Sequence, residues 1–356
     1  MKAEFLDIPA PGNGHTPDRM SGFWIPGHAD GHANGHANGH ANDEGQPPFT
    51  VVSKLAHWDS KASVRVKPRR VLQDEESAGK VFFTPELAPV AEHRLVRQFG
   101  PGAVRDLQVK HLYRYLDFTT RLELEAINIV ACDIALGRLG SELPDVMRAD
   151  AFKLCTDEAH HAYFSDDMRR QVMEATGVSP EPPGMPHFLR RLRAIRRDLP
   201  RDRRRLSLSL FSVVSETLIS VILAQVPRDE RVVTSVREMV ADHAEDEGRH
   251  SAFFSQFFAY LWPRLGDDLR ADLGPLLPEF ILAFLEPDTG AIRRSLRSLP
   301  LRPDEVEAII AEAFPVDEVV AGARDAATVT LHLFEHNGVM DDPRIADAFR
   351  ERGLYD

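Results

Sequence analysis

From about Phe49 to the C-terminus, apolar residues recur at three- and four-residue spacing in a background of Leu, Ala, Arg and Glu. That is the period of helices with one buried face. Alternating β-branched runs bounded by Asn-Gly turns, the mark of strands, are nearly absent. The pattern predicts a long helix over about 102–139, closing at the Gly137/Gly140 pair. A second starts after Pro144, whose ring suits a first helical turn, and runs to about Ala175. Gly177–Pro186 (GVSPEPPGMP) reads as a connection. Two more long helices are expected near Arg203–Val226 and Asp229–Leu261, divided by Pro227. Shorter helices follow, broken at Pro263, Pro287, Pro300 and Pro315. The expectation is one large all-α domain over 49–356.

Residues 1–48 break this pattern. Gly27–Asn42 repeats Gly-His-Ala-Asp/Asn and places His28, His32, His36 and His40 among residues that cannot build a core. A disordered tail is expected there. The chain as a whole is 43% hydrophobic, enough for a core. Its 55 Asp+Glu against 43 Lys+Arg give a net charge of −12, which argues against a nucleic-acid-coating protein. Arg190–Arg205 holds nine arginines in sixteen positions without interleaved aromatics. It reads as a solvated helix face or a docking patch for an electron donor. Cys132 and Cys155 alone cannot form a disulfide framework. The N-terminal MKAEFLDIPAPG lacks an apolar signal core, and the longest apolar stretch, Val213–Val226, is broken by Ser215, Glu216 and Thr217. A soluble, cytoplasmic protein without a membrane or nucleic-acid partner is the expectation.

The chemistry lies in two copies of one arrangement. Asp157-Glu158-Ala159-His160-His161 and Asp246-Glu247-Gly248-Arg249-His250 are each D-E-x-x-H within a predicted helix. A Glu and a His three residues apart project from one helix face, so each pair can aim a carboxylate and an imidazole at one point. Upstream of each lies a glutamate in apolar surroundings, Glu123 in TTRLELEAINIV and Glu216 in LFSVVSETLISVIL. A carboxylate there is costly unless it is paired or bound to a cation. Glu123 and Glu158 are 35 residues apart with their midpoint at Gly140/Ser141, so both lie at one height in a hairpin. Glu216 and Glu247, 31 apart, fit a second hairpin more loosely. Two such hairpins make a ferritin-like four-helix bundle with a carboxylate-bridged di-iron site. Carboxylates can bridge two cations, and neutral imidazoles cap each metal while leaving positions open for dioxygen. Asp157 and Asp246 are placed to accept the distal N–H of an imidazole from the facing helix. His243, four before Glu247 and seven before His250, shares their stripe. Its counterpart in the first motif is Leu154, so a third histidine would serve one metal only.

These motifs resemble the di-iron arylamine N-oxygenases, of the p-aminobenzoate N-oxygenase and chloramphenicol nitro-forming type. The resemblance runs over roughly 95–258 and rests on the doubled motif, the hairpin lengths and His243. It implies metal ligands Glu123, Glu158, His161, Glu216, His243, Glu247 and His250. Glu125 competes for the first place; Glu123 is preferred because the family's glutamate lies five before an asparagine, here Asn128. The implied reaction is stepwise oxidation of an aromatic amine to hydroxylamine, nitroso and nitro products in natural-product biosynthesis, with two irons and dioxygen. Manganese suits the same ligands. The resemblance further implies electrons from an external donor, a ferredoxin or reductase, or from the hydroxylamine intermediate itself, and a homodimer. Gly100-Pro101-Gly102 lacks a third glycine, so no dinucleotide site encodes the donor here.

Competing functions keep the same centre. They are hydroxylation or desaturation of a carbon substrate, free or carrier-bound, and ferritin-like iron oxidation. Elsewhere, His160 points about 100° from His161 and is not expected to bind metal. His332-Leu333-Phe334-Glu335-His336 fits an inverted zincin motif but is equally ordinary on a helix. The two cysteines and the run Phe253, Phe254, Phe257, Phe258 and Tyr260 read as core.

Overall fold

Helix α1 (Pro101–Leu122) starts where sequence chemistry requires it, after Gly100 at φ 88°, a conformation that only glycine adopts freely. The computed structural model describes residues 49–73, 79–140, 142–182 and 184–356, so the expected tail of residues 1–48 lies outside the described residues. From α1 the chain passes through one wide π turn, Glu123–Ile127, into α2 (Asn128–Ala135). Next come α3 (Asp145–Thr176), capped by left-handed Gly177, then α4 (His187–Arg196), α5 (Arg201–Leu223) and α6 (Thr234–Leu261). Shorter helices close the chain, among them α7 (Leu277–Leu285), α8 (Thr289–Leu296) and α9 (Pro303–Ala313), followed by α10 (Val316–Ala326), α11 (Thr328–His336) and α12 (Pro343–Glu351). Among the described residues there is no strand, only an isolated parallel bridge between Val81 and Val232.

Two antiparallel hairpins form the bundle. The first joins α1–α2 to α3, the second joins α5 to α6, and the hairpins meet along α3 and α6. α5 is buried nearly all round, from Leu206 through Ile219, and no helix so enclosed can face water. α7 covers it on one side, and α11 meets it through Thr217 and Thr330, whose hydroxyls lie 2.8 Å apart. A smaller apolar cluster of Val90, Val96, Leu107, Leu296 and Ile309 ties the N-terminal segment to α8 and α9.

Two expectations change and a third is refined. The second hairpin's turn is longer than predicted, because residues 231–233 leave the helix and pair with Val81 (Val81 N to Arg231 O and Val233 N to Val81 O, both 3.0 Å). Residues 49–100, expected to be helical, are mostly irregular with four-residue turns such as Trp58–Lys61 and Ser63–Val66. Their backbone donors bond helix side chains instead: Lys54 N to Asp150 (2.8 Å), Ser63 N to Asp246 (3.1 Å) and Leu72 N to Gln171 (2.8 Å). The segment is therefore a strap laid across α3 and α6. The arginine run, finally, is an exposed face, with Arg190, Arg193, Arg197, Arg201, Arg204 and Arg205 at the surface, but one laced with ion pairs. Arg191 pairs with Glu279 (2.9 Å), Arg193 with Glu125 (3.1 Å), Arg203 with Asp272 (2.7 Å) and Arg205 with Asp133 (3.1 Å), while Arg196 and Arg204 bond main-chain carbonyls of the α4–α5 turn. Guanidinium groups here pin neighbouring elements together.

Candidate metal centre

Each bundle helix sends side chains to one level of the interior. Glu123 comes from the π turn after α1, Glu158 and His161 from α3, Glu216 from α5, and His243, Glu247 and His250 from α6. All seven are buried, with side-chain exposure of 1% or less. The i, i+3 and i, i+4 spacing on α3 and α6 puts each set on one face, as the helical repeat dictates.

Ligand-capable atoms converge in three overlapping groups: Glu123, His161, His243 and Glu247; Glu158, His161, Glu247 and His250; and Glu123, Glu158 and Glu216. Within each group the atoms lie within 4.8 Å of one another. His161 Nδ1 is 3.0 Å from Glu158 and 3.2 Å from Glu247. His250 Nδ1 is 3.0 Å from Glu158 and 3.4 Å from Glu247, and His243 Nε2 is 3.0 Å from Glu247 and 3.7 Å from Glu123. Closeness here is mostly not hydrogen bonding. Both oxygens of Glu123, Glu216 and Glu247, one of Glu158, His243 Nε2 and His250 Nδ1 are buried without a hydrogen-bond partner. Buried polar atoms are almost always satisfied. So many unsatisfied lone pairs directed at one spot are the donor set of a cation site, and mixed carboxylate and imidazole donors suit a pair of first-row metal ions.

Electrostatics of the protein residues alone point the same way. Burial, aggravated by neighbouring carboxylates, pushes Glu123 and Glu216 well above the usual range. Burial also acts to raise Glu158 and Glu247, but the imidazoles beside them outweigh it and hold both low. His161 and His250 are raised well above 6.5 against burial, by hydrogen bonds and charge from surrounding carboxylates. Burial and the neighbouring His161 charge lower His243. Four carboxylates cannot all ionise in so small an apolar volume unless cations enter.

Beyond the converging atoms, the hairpins cross-brace. His161 Nε2 donates to Asp246 on α6 (3.1 Å), and His250 Nε2 donates to Asp157 on α3 (3.1 Å). Each bond takes up Nε2 and so turns Nδ1 toward the carboxylates inside the bundle. The strap holds both aspartates in turn. Trp58 Nε1 donates to Asp157 (2.8 Å), and Ser63 N donates to Asp246, which Arg249 also contacts. No motif pointed to Trp58 or Ser63, because their roles arise from tertiary placement of an irregular segment. The π turn was equally invisible. It leaves Glu123 inside and turns Glu125 outward, to Arg121 (2.7 Å) and Arg193 (3.1 Å).

Other candidates lie elsewhere. His160 turns away, edge-on to Phe164 with ring centres 5.3 Å apart. His332, Glu335 and His336 are exposed and belong to none of the converging groups found among the described residues. Cys132 and Cys155 are free thiols with sulfurs 3.4 Å apart, and burial pushes the Cys155 thiol up to about 12. Phe253, Phe254, Phe257 and Phe258 are core.

The family described as p-aminobenzoate N-oxygenase AurF matches residues 60–338. The chain belongs to this family. Residues 60–338 of this AurF-family chain include all seven converging residues, both aspartates and Ser63, while Trp58 lies just before them. Among curated proteins, the 4-aminobenzoate N-oxygenase of Streptomyces thioluteus is 26% identical over 225 residues, covering 62% of this chain and 66% of that relative. The all-α bundle with buried glutamate and histidine clusters accords with a ferritin-like oxygenase of the AurF family.

Proposed function

We propose that this protein is a non-haem di-iron oxygenase that uses dioxygen to oxidise an aromatic amine through hydroxylamine and nitroso to the nitro product. The observation carrying this reading is the convergence of four buried carboxylates and three imidazoles in an AurF-family chain. Glu123, Glu158, His161, Glu216, His243, Glu247 and His250 would hold the two ions, with Asp157 and Asp246 orienting His250 and His161. Once bound, the iron pair supplies the dioxygen activation that side chains cannot. Manganese suits the same donors and is the metal to compare.

The residues of the chain position the substrate and keep the site dry. No ligand is solvent-exposed, and the Phe164 ring lies 5.3 Å from that of His161 and 5.6 Å from that of His243. A cavity of about 600 Å³ runs along the outer flank of α1, walled by Phe118, Phe188 and Phe284, a size suited to small organic ligands. Tyr115 lines it and lies about 80° around α1 from Glu123; its buried hydroxyl has no hydrogen-bond partner. Arg114, on the far side of the helix, bonds Ser295 (2.5 Å) and His111 (2.9 Å). Burial keeps His111 neutral, but the carboxylates of Glu181 and Asp288 already act on Arg114, whose own burial lowers it to about 10. In this reading the amine enters past Tyr115.

The electrons come from an external donor such as a ferredoxin or reductase, and the product belongs to natural-product biosynthesis in the cytoplasm. A homodimer would cover the outer face of the first hairpin, where Leu124, Ile129, Leu136, Val146 and Phe152 are 41–56% exposed; light scattering tests that. Carbon hydroxylation and iron storage have less support, because the family and its curated relative are named for N-oxygenation. The deciding experiment loads the protein anaerobically with ferrous iron, adds dioxygen and offers a panel of arylamines. A product that has gained two oxygens and lost two hydrogens supports the reading. Unchanged amines, ring hydroxylation alone or iron mineralisation refutes it.

A further inference from the structure

Both histidines that donate to an aspartate have a continuation toward the surface, and the two continuations differ. Asp246, which holds His161, ends at the main-chain N–H of Ser63 and the Arg249 guanidinium. Neither group conducts electrons well. Asp157, which holds His250, ends at an indole: Trp58 Nε1 donates to Asp157 Oδ1 at 2.8 Å, and His250 Nε2 donates to Asp157 Oδ2 at 3.1 Å. His250 Nδ1 then faces Glu158 and Glu247 inside the bundle. One unbroken chain of bonds and short hydrogen bonds thus joins a half-buried tryptophan to an imidazole of the centre. Electron tunnelling decays less steeply along bonds and hydrogen bonds than across gaps, and of the two hydrogen-bonded routes only this one ends on an aromatic ring.

The strap around Trp58 is locally basic. Residues 49–72 carry six Lys and Arg against one Asp, in a chain of net charge −12. Lys67, Arg69 and Arg70 are tied to carboxylates of α3 and α6. Lys61 and Arg65 are exposed, Arg65 lies over the Trp58 ring at 5.4 Å, and its ion pair with exposed Asp59 is long at 3.7 Å. Exposed, long pairs of this kind neutralise little.

We infer that electrons enter at Trp58 from an acidic one-electron carrier protein docked on the strap, and reach the centre through Asp157 and His250. The inference rests on the di-iron reading above. Two carrier molecules each give up one electron, two ferric ions become ferrous, and no covalent bond forms or breaks. Trp58 is a positioning residue for Asp157 and, beyond that, the conduit. The arginine run lies on α4 and at the start of α5, eleven residues or more before Glu216, whereas the strap stands directly over the centre's outer bonds.

Stopped-flow reduction of the full-length diferric protein by a reduced acidic ferredoxin tests this. Trp58→Phe keeps the aromatic packing but removes the N–H. Its reduction is expected to slow about tenfold or more, and to slow far more than N-oxygenation driven by hydrogen peroxide. That peroxide route converts the amine and peroxide to hydroxylamine and water without any donor. Equal losses in both assays would mean a merely structural role and overturn the inference, as would reduction at the wild-type rate. Lys61→Glu with Arg65→Glu leaves the hydrogen-bond chain intact. It should slow ferredoxin-driven reduction about tenfold and flatten its dependence on salt; an unchanged rate and salt slope would refute the docking face. Wild-type protein that reduces normally but never oxidises an amine with peroxide would refute the N-oxygenase reading instead, so the two failures are distinct.

Discussion

The two hairpins carry the same D-E-x-x-H motif and build their halves of the centre differently. In the second, Glu216 stands on a regular helix enclosed by α6, α7 and α11, and α6 supplies three ligand-capable side chains in eight residues. In the first, Glu123 stands on a π turn, Leu154 occupies the position matching His243, and the outer face shows Leu124 and Ile129 to solvent. π turns concentrate at functional sites because they re-aim side chains at a cost in hydrogen-bond regularity. The second hairpin is therefore the fixed anchor. The first is the side that adapts, and it carries Tyr115 and the cavity.

Removing an anchor ligand should have the largest effect. Glu216→Gln is expected to lose at least half of the bound iron and essentially all oxygenase activity. The metal-free protein should become more stable, because a buried carboxylate without a cation is unfavourable. Metal analysis and thermal melts of the metal-free form check both halves. Glu123→Gln should lose activity with a smaller gain in stability, since its turn borders the adaptable face.

Next in size is His243→Leu, which gives the second hairpin the residue of the first. Two tightly bound ions should become one tight and one weak, visible as two phases in an anaerobic ferrous titration. A single undiminished phase would remove His243 from the ligand set.

A moderate effect follows from protonation of the metal-free centre. Glu123 and Glu216 titrate well above 4.5 when folded, and His161 and His250 well above 6.5. The folded state then holds protons that the unfolded chain has released, so stability falls as pH rises above each unfolded value. Glu158 and Glu247 are lowered, and their contribution is lost on the acid side instead. Denaturant midpoints of metal-free protein should drop from about pH 4.5 upward as the two glutamates contribute, more steeply above 6.5 where the histidines join, and bound metal should abolish the drop. The smallest effect is expected at Glu125, whose partners Arg121 and Arg193 are partly exposed. Glu125→Gln should cost no more than about 1 kcal/mol and leave iron content unchanged; loss of iron there would exchange the roles of Glu123 and Glu125.

What could be read from the chain follows the same division. Helical periodicity and the three-residue step from Glu158 to His161 and from Glu247 to His250 are local properties, so bundle and site were legible before any coordinates. The π turn was not, because Glu123–Ile127 has the composition of ordinary helix. Nor was the strap. Trp58 and Ser63 act on residues 99 and 183 positions away, and no periodicity records such contacts. The ion pairs within the arginine run were hidden for a related reason: Glu125, Asp133, Asp272 and Glu279 reach it from distant stretches of sequence.

The proposed chemistry depends on two metal ions being held among these seven side chains. The most direct measurement is an anaerobic ferrous titration of the full-length protein, with iron counted per chain after desalting and repeated on Glu216→Gln. Two irons per chain in the wild type, and no more than one in the variant, are expected. One iron or none in the wild type, or two in the variant, would contradict the centre.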